Sequence, residues 1–176
     1  MRKATLITGV AGTGKSTICK ELKSLGMDAF DADYERGVAY WQNKITGENA
    51  KFPTYRRRNW SSKHHWLWDL NILQSDLWKN SGEVYVFGTS DNKQEAYYLF
   101  LKIFFLVTNP DMIERRLIAR VDNNFGKQEQ ERNLVLADLP ESIIEAKNNN
   151  FVTLDTSNSS PQVMAQKIID LSRNDD

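Results

Sequence analysis

Gly9-Val10-Ala11-Gly12-Thr13-Gly14-Lys15-Ser16 follows the pattern G-x-x-x-x-G-K-S/T. An apolar run, Ala4 to Thr8, precedes it, and a run with helical spacing begins near Lys15. In such a strand-loop-helix setting, the pattern is typical of a loop that cradles phosphates. Its glycines let backbone N–H groups turn toward phosphate oxygens, and the positive end of the following helix attracts the same anions.

Side chains of this loop supply the other contacts that a nucleoside triphosphate needs. Lys15 is expected to reach the β- and γ-phosphates as a point charge, and the Ser16 hydroxyl is expected to ligate Mg²⁺. We therefore predict that the protein uses ATP together with Mg²⁺. The predicted nucleotide-binding residues of the loop are Gly9, Ala11, Gly12, Thr13, Gly14, Lys15, Ser16 and Thr17.

Length and composition favour a single soluble domain. The 176 residues are enough to bury a sizeable core, and 23 basic residues balance 23 acidic ones. This balance gives no reason to expect nucleic acid or a membrane as an obligatory partner. One cysteine, Cys19, cannot form a disulfide within the chain, and the short run before the phosphate loop fits neither a signal peptide nor a membrane span. We expect a cytoplasmic protein, as a monomer or a homodimer.

Five short apolar or β-branched runs alternate with segments of helical spacing. The runs are 4–8, 27–30, 84–87, 103–107 and 151–154. This alternation predicts an α/β fold in which helices cover both faces of a parallel sheet. The spacing of apolar residues predicts one helix from Ser62 to Asn80, and Asn109-Pro110 and Ser160-Pro161 are predicted to start two more.

Two carboxylates follow the second predicted strand, as Asp31-Ala32-Asp33, whereas the third strand is followed by Gly88-Thr89-Ser90. Residues i and i+2 of an extended chain can face one ligand, so this pair can serve both a metal and an acceptor. We predict that Asp31 joins Ser16 in the Mg²⁺ site and that Asp33 orients or deprotonates the acceptor hydroxyl. The residues alone do not decide between this assignment and the reverse one.

Arg116 and Arg120 lie four residues apart and therefore share one face of a predicted helix. The turn-rich stretch 121–127 that follows is typical of a mobile flap. Guanidinium groups brought over the γ-phosphate by such a flap would stabilise charge during phosphoryl transfer. We predict this catalytic role for both arginines; the alternative is that they are surface residues paired with Glu114 or Asp122.

The stretch from Ile45 to Asn59 has neither helical nor strand periodicity, which indicates a binding insertion or a flexible loop. Five cations lie in it or just beyond it, with no acid between Glu48 and Asp69. They are Lys51, Arg56, Arg57, Arg58 and Lys63. Because arginine can hold a carboxylate or a phosphate in bidentate fashion, we predict a small acceptor that carries negative charge. A solvated basic loop is the alternative.

With these features the chain resembles the P-loop small-molecule kinases, which include shikimate, gluconate, and nucleoside or nucleotide kinases. The phosphate loop, Asp31-Ala32-Asp33 and the stretch from Arg116 to Arg120 carry the resemblance, in that order along the chain. It implies a three-layer P-loop NTPase sandwich, with a parallel sheet of strand order 2-3-1-4-5, helices on both faces and a short lid. One domain would span 1–176, with an acceptor-site insertion at about 34–80 and a lid at about 116–132.

The same resemblance implies further site residues and an activity. Arg116 and Asn158 would contact the nucleotide, with Asn158 beside the adenine. Gly88 would join Asp33 at the acceptor site, where shikimate kinases carry a longer glycine-rich run. The implied activity is transfer of the γ-phosphoryl group of ATP to a hydroxyl or a phosphate of a small metabolite, nucleoside or nucleotide.

Two other functions stay open on the sequence. Polynucleotide 5′-hydroxyl kinases pair a strand-end Asp with an Arg about one turn later, as Asp33 and Arg36 could do, so Arg36 is a further candidate acceptor contact. The basic stretch 51–63 could then follow a phosphate backbone. A regulatory nucleotide hydrolase or switch would need a base-reading Asn-Lys-x-Asp motif or a water-positioning acid after the third strand. Asn92-Lys93-Gln94-Glu95 ends in glutamate instead, and Gly88-Thr89-Ser90 supplies no acid.

Overall fold

The computed structural model describes residues 3–51, 60–79, 82–121 and 125–174, and these residues contain eight strands. In chain order the strands are β1 (Lys3–Thr8), β2 (Ala29–Asp31), β3 (Ala39–Asn43), β4 (Asn49–Ala50), β5 (His64–Trp68), β6 (Glu83–Phe87), β7 (Lys102–Val107) and β8 (Val152–Asp155). Five of them form a parallel sheet in the order β2-β6-β1-β7-β8. Numbered within this sheet alone, the order is 2-3-1-4-5, as the resemblance implied.

Six α-helices and a 3₁₀ helix accompany these strands in the described residues. They are α1 (Lys15–Ser24), α2 (Trp60–Lys63), α3 (Leu70–Trp78), the 3₁₀ helix (Lys93–Leu99), α4 (Pro110–Ala119), α5 (Glu129–Asn148) and α6 (Pro161–Arg173). None of the helices seen in these parts of the chain is both long enough and apolar enough to cross a membrane.

Apolar side chains of the parallel sheet point alternately into two cores. On one face, Ile7 of β1 packs with Leu22 of α1 and Ile168 of α6. On the other face, Leu6 packs with Leu73 and other residues of α3. Because helices cover both faces, the sheet is buried in the middle of three layers, which confirms the predicted fold class.

The predicted starts of α4 and α6 are confirmed. The Asn109 side chain accepts a hydrogen bond from the backbone N–H of Met112 at 2.8 Å, and the Ser160 hydroxyl accepts one from Val163 at 3.3 Å. Each helix has a proline in its first turn, where the missing N–H leaves no helical hydrogen bond unmade. The end of β7 lies beside the phosphate loop, where Gly9 packs on the carbonyl oxygen of Leu106, and Thr156 after β8 donates to the carbonyl oxygen of Thr13.

A second, antiparallel sheet of order β4-β3-β5 lies in the segment between β2 and α3. The prediction of one helix from Ser62 to Asn80 is wrong here, because 64–68 is β5. Residues 64–68 read His-His-Trp-Leu-Trp, and aromatic side chains favour strands. The helical spacing applies only to α3, which starts after Asp69 caps the N–H groups of Asn71 and Ile72.

Candidate active site

The phosphate loop connects β1 to α1 at the centre of the parallel sheet, and its backbone depends on glycine. Gly9, Gly12 and Gly14 have φ values of 145°, 87° and 98°, which residues with a side chain rarely adopt. At Gly9 an added Cβ would lie 2.6 Å from the carbonyl oxygen of Leu106 in β7. The glycines of the motif therefore provide both the turn and the close packing of the loop on the sheet.

Lys15 lies half-buried against this loop. Its Nζ donates to the carbonyl oxygens of Gly9 and Val10, at 2.5 and 3.0 Å. Burial lowers the pKa of Lys15, and the carboxylates of Asp33 and Asp31 oppose that shift. The ammonium group is therefore held between the phosphate loop and two acids, where it can reach anionic oxygens bound in the loop.

Ser16 and Asp31 form the candidate Mg²⁺ site. The Ser16 hydroxyl donates to Asp31 Oδ2 at 2.9 Å, and Asp31 is only 7% exposed. Burial raises the pKa of Asp31, whereas the hydrogen bond from Ser16 acts to lower it. Hydroxyl and carboxylate oxygens suit Mg²⁺, which uses one or two protein ligands with phosphate oxygens and water. These two residues fit the ion, and the described residues hold no cluster of three or more His, Cys, Asp or Glu suited to a metal.

Asp33 lies where the parallel sheet meets the small antiparallel sheet. Its Oδ1 accepts hydrogen bonds from Nε1 of Trp66 at 3.3 Å and Nε1 of Trp68 at 3.2 Å. The backbone N–H of Thr89, just after β6, lies 3.2 Å from both carboxylate oxygens. The Asp33 backbone N–H in turn donates to Asp31 Oδ1 at 3.1 Å, so the two acids form one connected unit.

This environment raises the pKa of Asp33 to about 7. Burial is the largest cause and the nearby charge of Asp31 is the second, while Lys15 and the hydrogen bonds from Trp68 and Thr89 act to lower the pKa. A carboxylate that titrates near neutrality is a stronger base than an ordinary aspartate. Asp33 can therefore accept a proton from a bound hydroxyl at neutral pH.

Gly88, which directly follows β6, allows the backbone there to pack against Asp33. Its φ is 145°, and an added Cβ would lie 2.8 Å from Asp33 Oδ1 and 2.9 Å from Cζ2 of Trp68. A side chain at this position would push the carboxylate away from the backbone N–H of Thr89. The glycine is therefore required by packing as well as by its backbone conformation.

We expect Gly88→Ala to be less stable than a matched variant, Gly82→Ala, by about 1–3 kcal/mol, the range for overpacking. Gly82 also has a large positive φ, 119°, but an added Cβ there would meet no atom within 4 Å. The comparison therefore separates the clash with Asp33 from backbone strain. Urea unfolding of the two variants measures the difference, and equal free energies of unfolding would show that residue 88 does not pack on Asp33.

Arg116 joins the phosphate loop to the loop that follows β8. Its guanidinium donates to the carbonyl oxygen of Gly12 at 3.3 Å and to Thr156, at Oγ1 (3.0 Å) and at the carbonyl oxygen (2.9 Å). Thr156 Oγ1 donates to the carbonyl oxygen of Thr13 at 2.9 Å. Arg116 thus lies against the nucleotide loop, and its action on a transferring phosphoryl group stays a prediction.

Arg120 and Asn158 lie at the edges of the same region. Arg120 follows α4 as its C-cap residue, and its positive charge is one cause of the lowered pKa of Lys15, so it acts within electrostatic reach of the phosphate loop. Asn158 is exposed in the loop after β8, and its contact with adenine stays a prediction. Glu114, a possible partner of the arginines, pairs with Arg132 at 3.3 Å; Asp122 lies outside the described residues.

Arg36 is held by two acids in the structure. Its guanidinium forms ion pairs with Asp28, at 2.7 Å, and with Asp76 of α3, and it lies 3.9 Å from the ring centroid of Phe30. These contacts tie the turn after β2 to α3. A contact of Arg36 with an acceptor stays a prediction.

The predicted basic surface can be placed only in part, because Arg56, Arg57 and Arg58 lie outside the described residues. The small sheet contributes aromatic side chains instead. Trp41 faces Trp66 across the β3–β5 pair, with ring centroids 4.8 Å apart, and Trp60 stacks on the ring of His64 at 3.7 Å. The hydrogen bonds of Trp66 and Trp68 to Asp33 were not predicted from the sequence, although the alternation Trp66-Leu67-Trp68 would place both side chains on one strand face.

A family model described as an AAA domain matches residues 6–137. None of the curated proteins matches the sequence significantly.

Solved structures with similar folds include several kinases. A shikimate kinase from Acinetobacter baumannii is 18% identical with a TM-score of 0.60, over 97% of this chain and 93% of that chain. A gluconokinase from Sinorhizobium meliloti 1021 is 14% identical with a TM-score of 0.55, over 98% and 93% of the two chains. A shikimate kinase from Bacteroides thetaiotaomicron is 15% identical with a TM-score of 0.57, over 96% of this chain and 97% of that chain. At such identities the likeness concerns the fold, so the chain belongs to the AAA domain family and has the fold of the P-loop small-molecule kinases.

Proposed function

We propose that the protein transfers the γ-phosphoryl group of ATP to a hydroxyl or a phosphate of a small molecule. The observation that carries the proposal is that the phosphate loop, the Ser16–Asp31 pair and a separate acid, Asp33, lie together at one edge of the sheet. Binding and hydrolysis of a nucleotide would need only the first two. Asp33 adds a base beside the phosphate loop, which a phosphotransferase needs for its acceptor.

The nucleotide would be held by the loop from Gly9 to Thr17. Lys15 would exchange its contacts with backbone carbonyl oxygens for contacts with phosphate oxygens. Ser16 and Asp31 would hold Mg²⁺, which when bound neutralises charge on the β- and γ-phosphates. Arg116 and Arg120 would add positive charge from the α4 side of the loop.

Asp33 would accept the proton of the acceptor hydroxyl. The acceptor oxygen forms a bond to the γ-phosphorus while the bond from that phosphorus to the β,γ-bridging oxygen breaks, and ADP leaves with the electron pair of that bond. Asp33 is held by uncharged donors in a partly buried site, and exclusion of bulk water from such a site favours transfer over hydrolysis. The acceptor would lie next to Asp33, on the side of the carboxylate that the tryptophans of the small sheet leave uncovered.

An anionic acceptor is part of this proposal. Lys51 follows β4 and Lys63 ends α2, so both ends of the basic stretch lie on the small sheet or beside it. Arg56, Arg57 and Arg58 lie between them in sequence. A carboxylate or a phosphate on the acceptor would give these cations a bidentate partner.

Replacing Arg56, Arg57 and Arg58 together by alanine is expected to raise the acceptor KM about tenfold or more, because one charge-assisted contact contributes roughly 1.5–3 kcal/mol. The KM for ATP should stay nearly unchanged. As a control, alanine at the exposed residues Lys20, Lys147 and Lys167 removes the same charge elsewhere. Steady-state kinetics measure both constants, and wild-type values of both in the arginine variant would exclude these residues from the acceptor site.

An ADP-release screen tests the activity itself. The purified protein is incubated with Mg²⁺ and ATP and with one compound at a time: hydroxyl metabolites, nucleosides, nucleotides and 5′-hydroxyl oligonucleotides, with Lys15→Ala as the blank. We expect release that depends on one class of small molecule. Release that needs an oligonucleotide and falls steeply with salt would support the polynucleotide kinase instead. Equal release with every compound would show a hydrolase.

A further inference from the structure

Two tryptophans of the small sheet donate to the same oxygen of Asp33. Nε1 of Trp66 lies 3.3 Å and Nε1 of Trp68 lies 3.2 Å from Asp33 Oδ1. The two residues are separated by one position in β5, so their side chains project from the same strand face. An indole N–H can only donate a hydrogen bond, and an oxygen of an ionised carboxylate can only accept one. Both indole N–H groups are therefore matched to the ionised form of Asp33.

Packing holds both rings in place. Trp68 is 1% exposed and belongs to the core formed with α3, and its backbone N–H and carbonyl pair with the side chain of Asn92 at 2.9 and 3.0 Å. Trp66 packs on Trp41, and its carbonyl oxygen accepts from the N–H of Asp91 at 2.8 Å. The fold therefore sets the positions of both rings before any ligand binds.

The two oxygens of Asp33 receive unequal numbers of hydrogen bonds from the described residues. Oδ1 accepts from Trp66, Trp68 and the backbone N–H of Thr89. Among the described parts of the chain, Oδ2 accepts only from the Thr89 N–H, which it shares with Oδ1, at 3.2 Å. A carboxylate oxygen offers about two lone-pair sites, so Oδ1 is fully engaged and Oδ2 keeps capacity for one more partner.

We propose that Trp66 and Trp68 are positioning residues that hold Oδ1 of Asp33 and leave Oδ2 as the atom that takes the acceptor proton. This proposal rests on the proposed function. The proton moves from the acceptor hydroxyl to Oδ2, the acceptor oxygen bonds to the γ-phosphorus, and ADP leaves with the electrons of the broken P–O bond. Positioned bases act best when their own geometry is fixed by surrounding groups.

Indole NMR signals test the hydrogen bonds without any ligand. The chain has five tryptophans, so a protein labelled with nitrogen-15 gives five indole N–H signals. Trp66→Phe and Trp68→Phe each keep an aromatic ring, remove one donor and identify one signal. We expect those two signals, and not that of the exposed Trp78, to shift in Asp33→Asn. Two unshifted signals would overturn the proposal even if one of the Phe variants folds poorly.

A double-mutant cycle tests the positioning role in turnover, with the acceptor that the ADP-release screen identifies. Trp66→Phe and Trp68→Phe should each lower kcat about tenfold, with both KM values nearly unchanged, and Trp78→Phe on α3 should not. In the Asp33→Asn background the same substitutions should change the residual kcat little. Equal losses in both backgrounds would overturn the proposal. An unchanged kcat in Asp33→Asn alone would instead overturn the proposed role of Asp33.

Discussion

Replacing Asp33 with asparagine is expected to lower kcat about 10²- to 10⁴-fold, the range for loss of a general base. Asparagine has the same shape, and its carbonyl oxygen can still accept from Trp66, Trp68 and Thr89, so the site should keep its packing. The amide cannot take a proton from the acceptor. Acceptor-dependent ADP release measures kcat, and calorimetric titration with Mg²⁺ and ADP measures nucleotide affinity, which should change little.

Stability gives this variant a second readout that needs no acceptor. The pKa of Asp33 rises from its ordinary value of 3.8 to about 7 in the folded protein, so folding favours the protonated form. The wild type should therefore lose stability as pH rises from about 4 to 7, and Asp33→Asn should show a smaller loss, because only the raised pKa of Asp31 remains. Urea unfolding without Mg²⁺ measures it. A variant less stable than the wild type at about pH 8 would contradict the buried-base account.

Lys15→Ala is expected to lower kcat about 10²- to 10³-fold, by analogy with removal of one preorganised donor from a transition state. It should also weaken ADP and ATP binding, since Lys15 is the cation held at the phosphate loop itself. The side chain lies outside the apolar cores, so the fold should persist. Calorimetric titration with Mg²⁺ and ATP, with Lys20→Ala on the exposed side of α1 as control, separates the two effects.

Equal nucleotide affinity in the two lysine variants would contradict this assignment. Loss of affinity together with a lower free energy of unfolding in urea would mean that Lys15 supports the loop structure rather than the ligand. The expected pattern is weak binding with wild-type stability in Lys15→Ala, and wild-type binding with wild-type stability in Lys20→Ala.

The parallel sheet and the phosphate loop were predictable because their signals are local. Each buried strand is a short apolar run, and the glycines of the loop follow β1 directly along the chain. The hydrogen bond between Ser16 and Asp31 also follows from topology. The end of β2 and the loop that leads from β1 to α1 both lie at the carboxyl ends of the parallel strands. These features could be predicted because their residues are close in sequence or have a fixed place in a known topology.

The small sheet was not predictable from spacing because its pairing is non-local. β5 pairs with β3, which lies more than twenty residues earlier in the chain. The four-residue spacing of Trp66 and Leu70 fits one continuous helix, and it equally fits a strand followed by a helix. The ion pair of Arg36 with Asp76 spans 40 residues, so no local pattern could reveal it. The hydrogen bonds of Trp66 and Trp68 to Asp33 depend on the same long-range pairing.

Phosphorus NMR of the complete reaction tests the central claim, that Asp33 directs the γ-phosphoryl group of ATP to an acceptor. The reaction contains Mg²⁺, ATP and the acceptor found by ADP release, and the wild type, Asp33→Asn and Lys15→Ala are measured in parallel. We expect a new phosphate ester or anhydride signal that grows in step with ADP in the wild type and is strongly reduced in both variants. Inorganic phosphate as the sole new product, or an undiminished signal with Asp33→Asn, would contradict this claim.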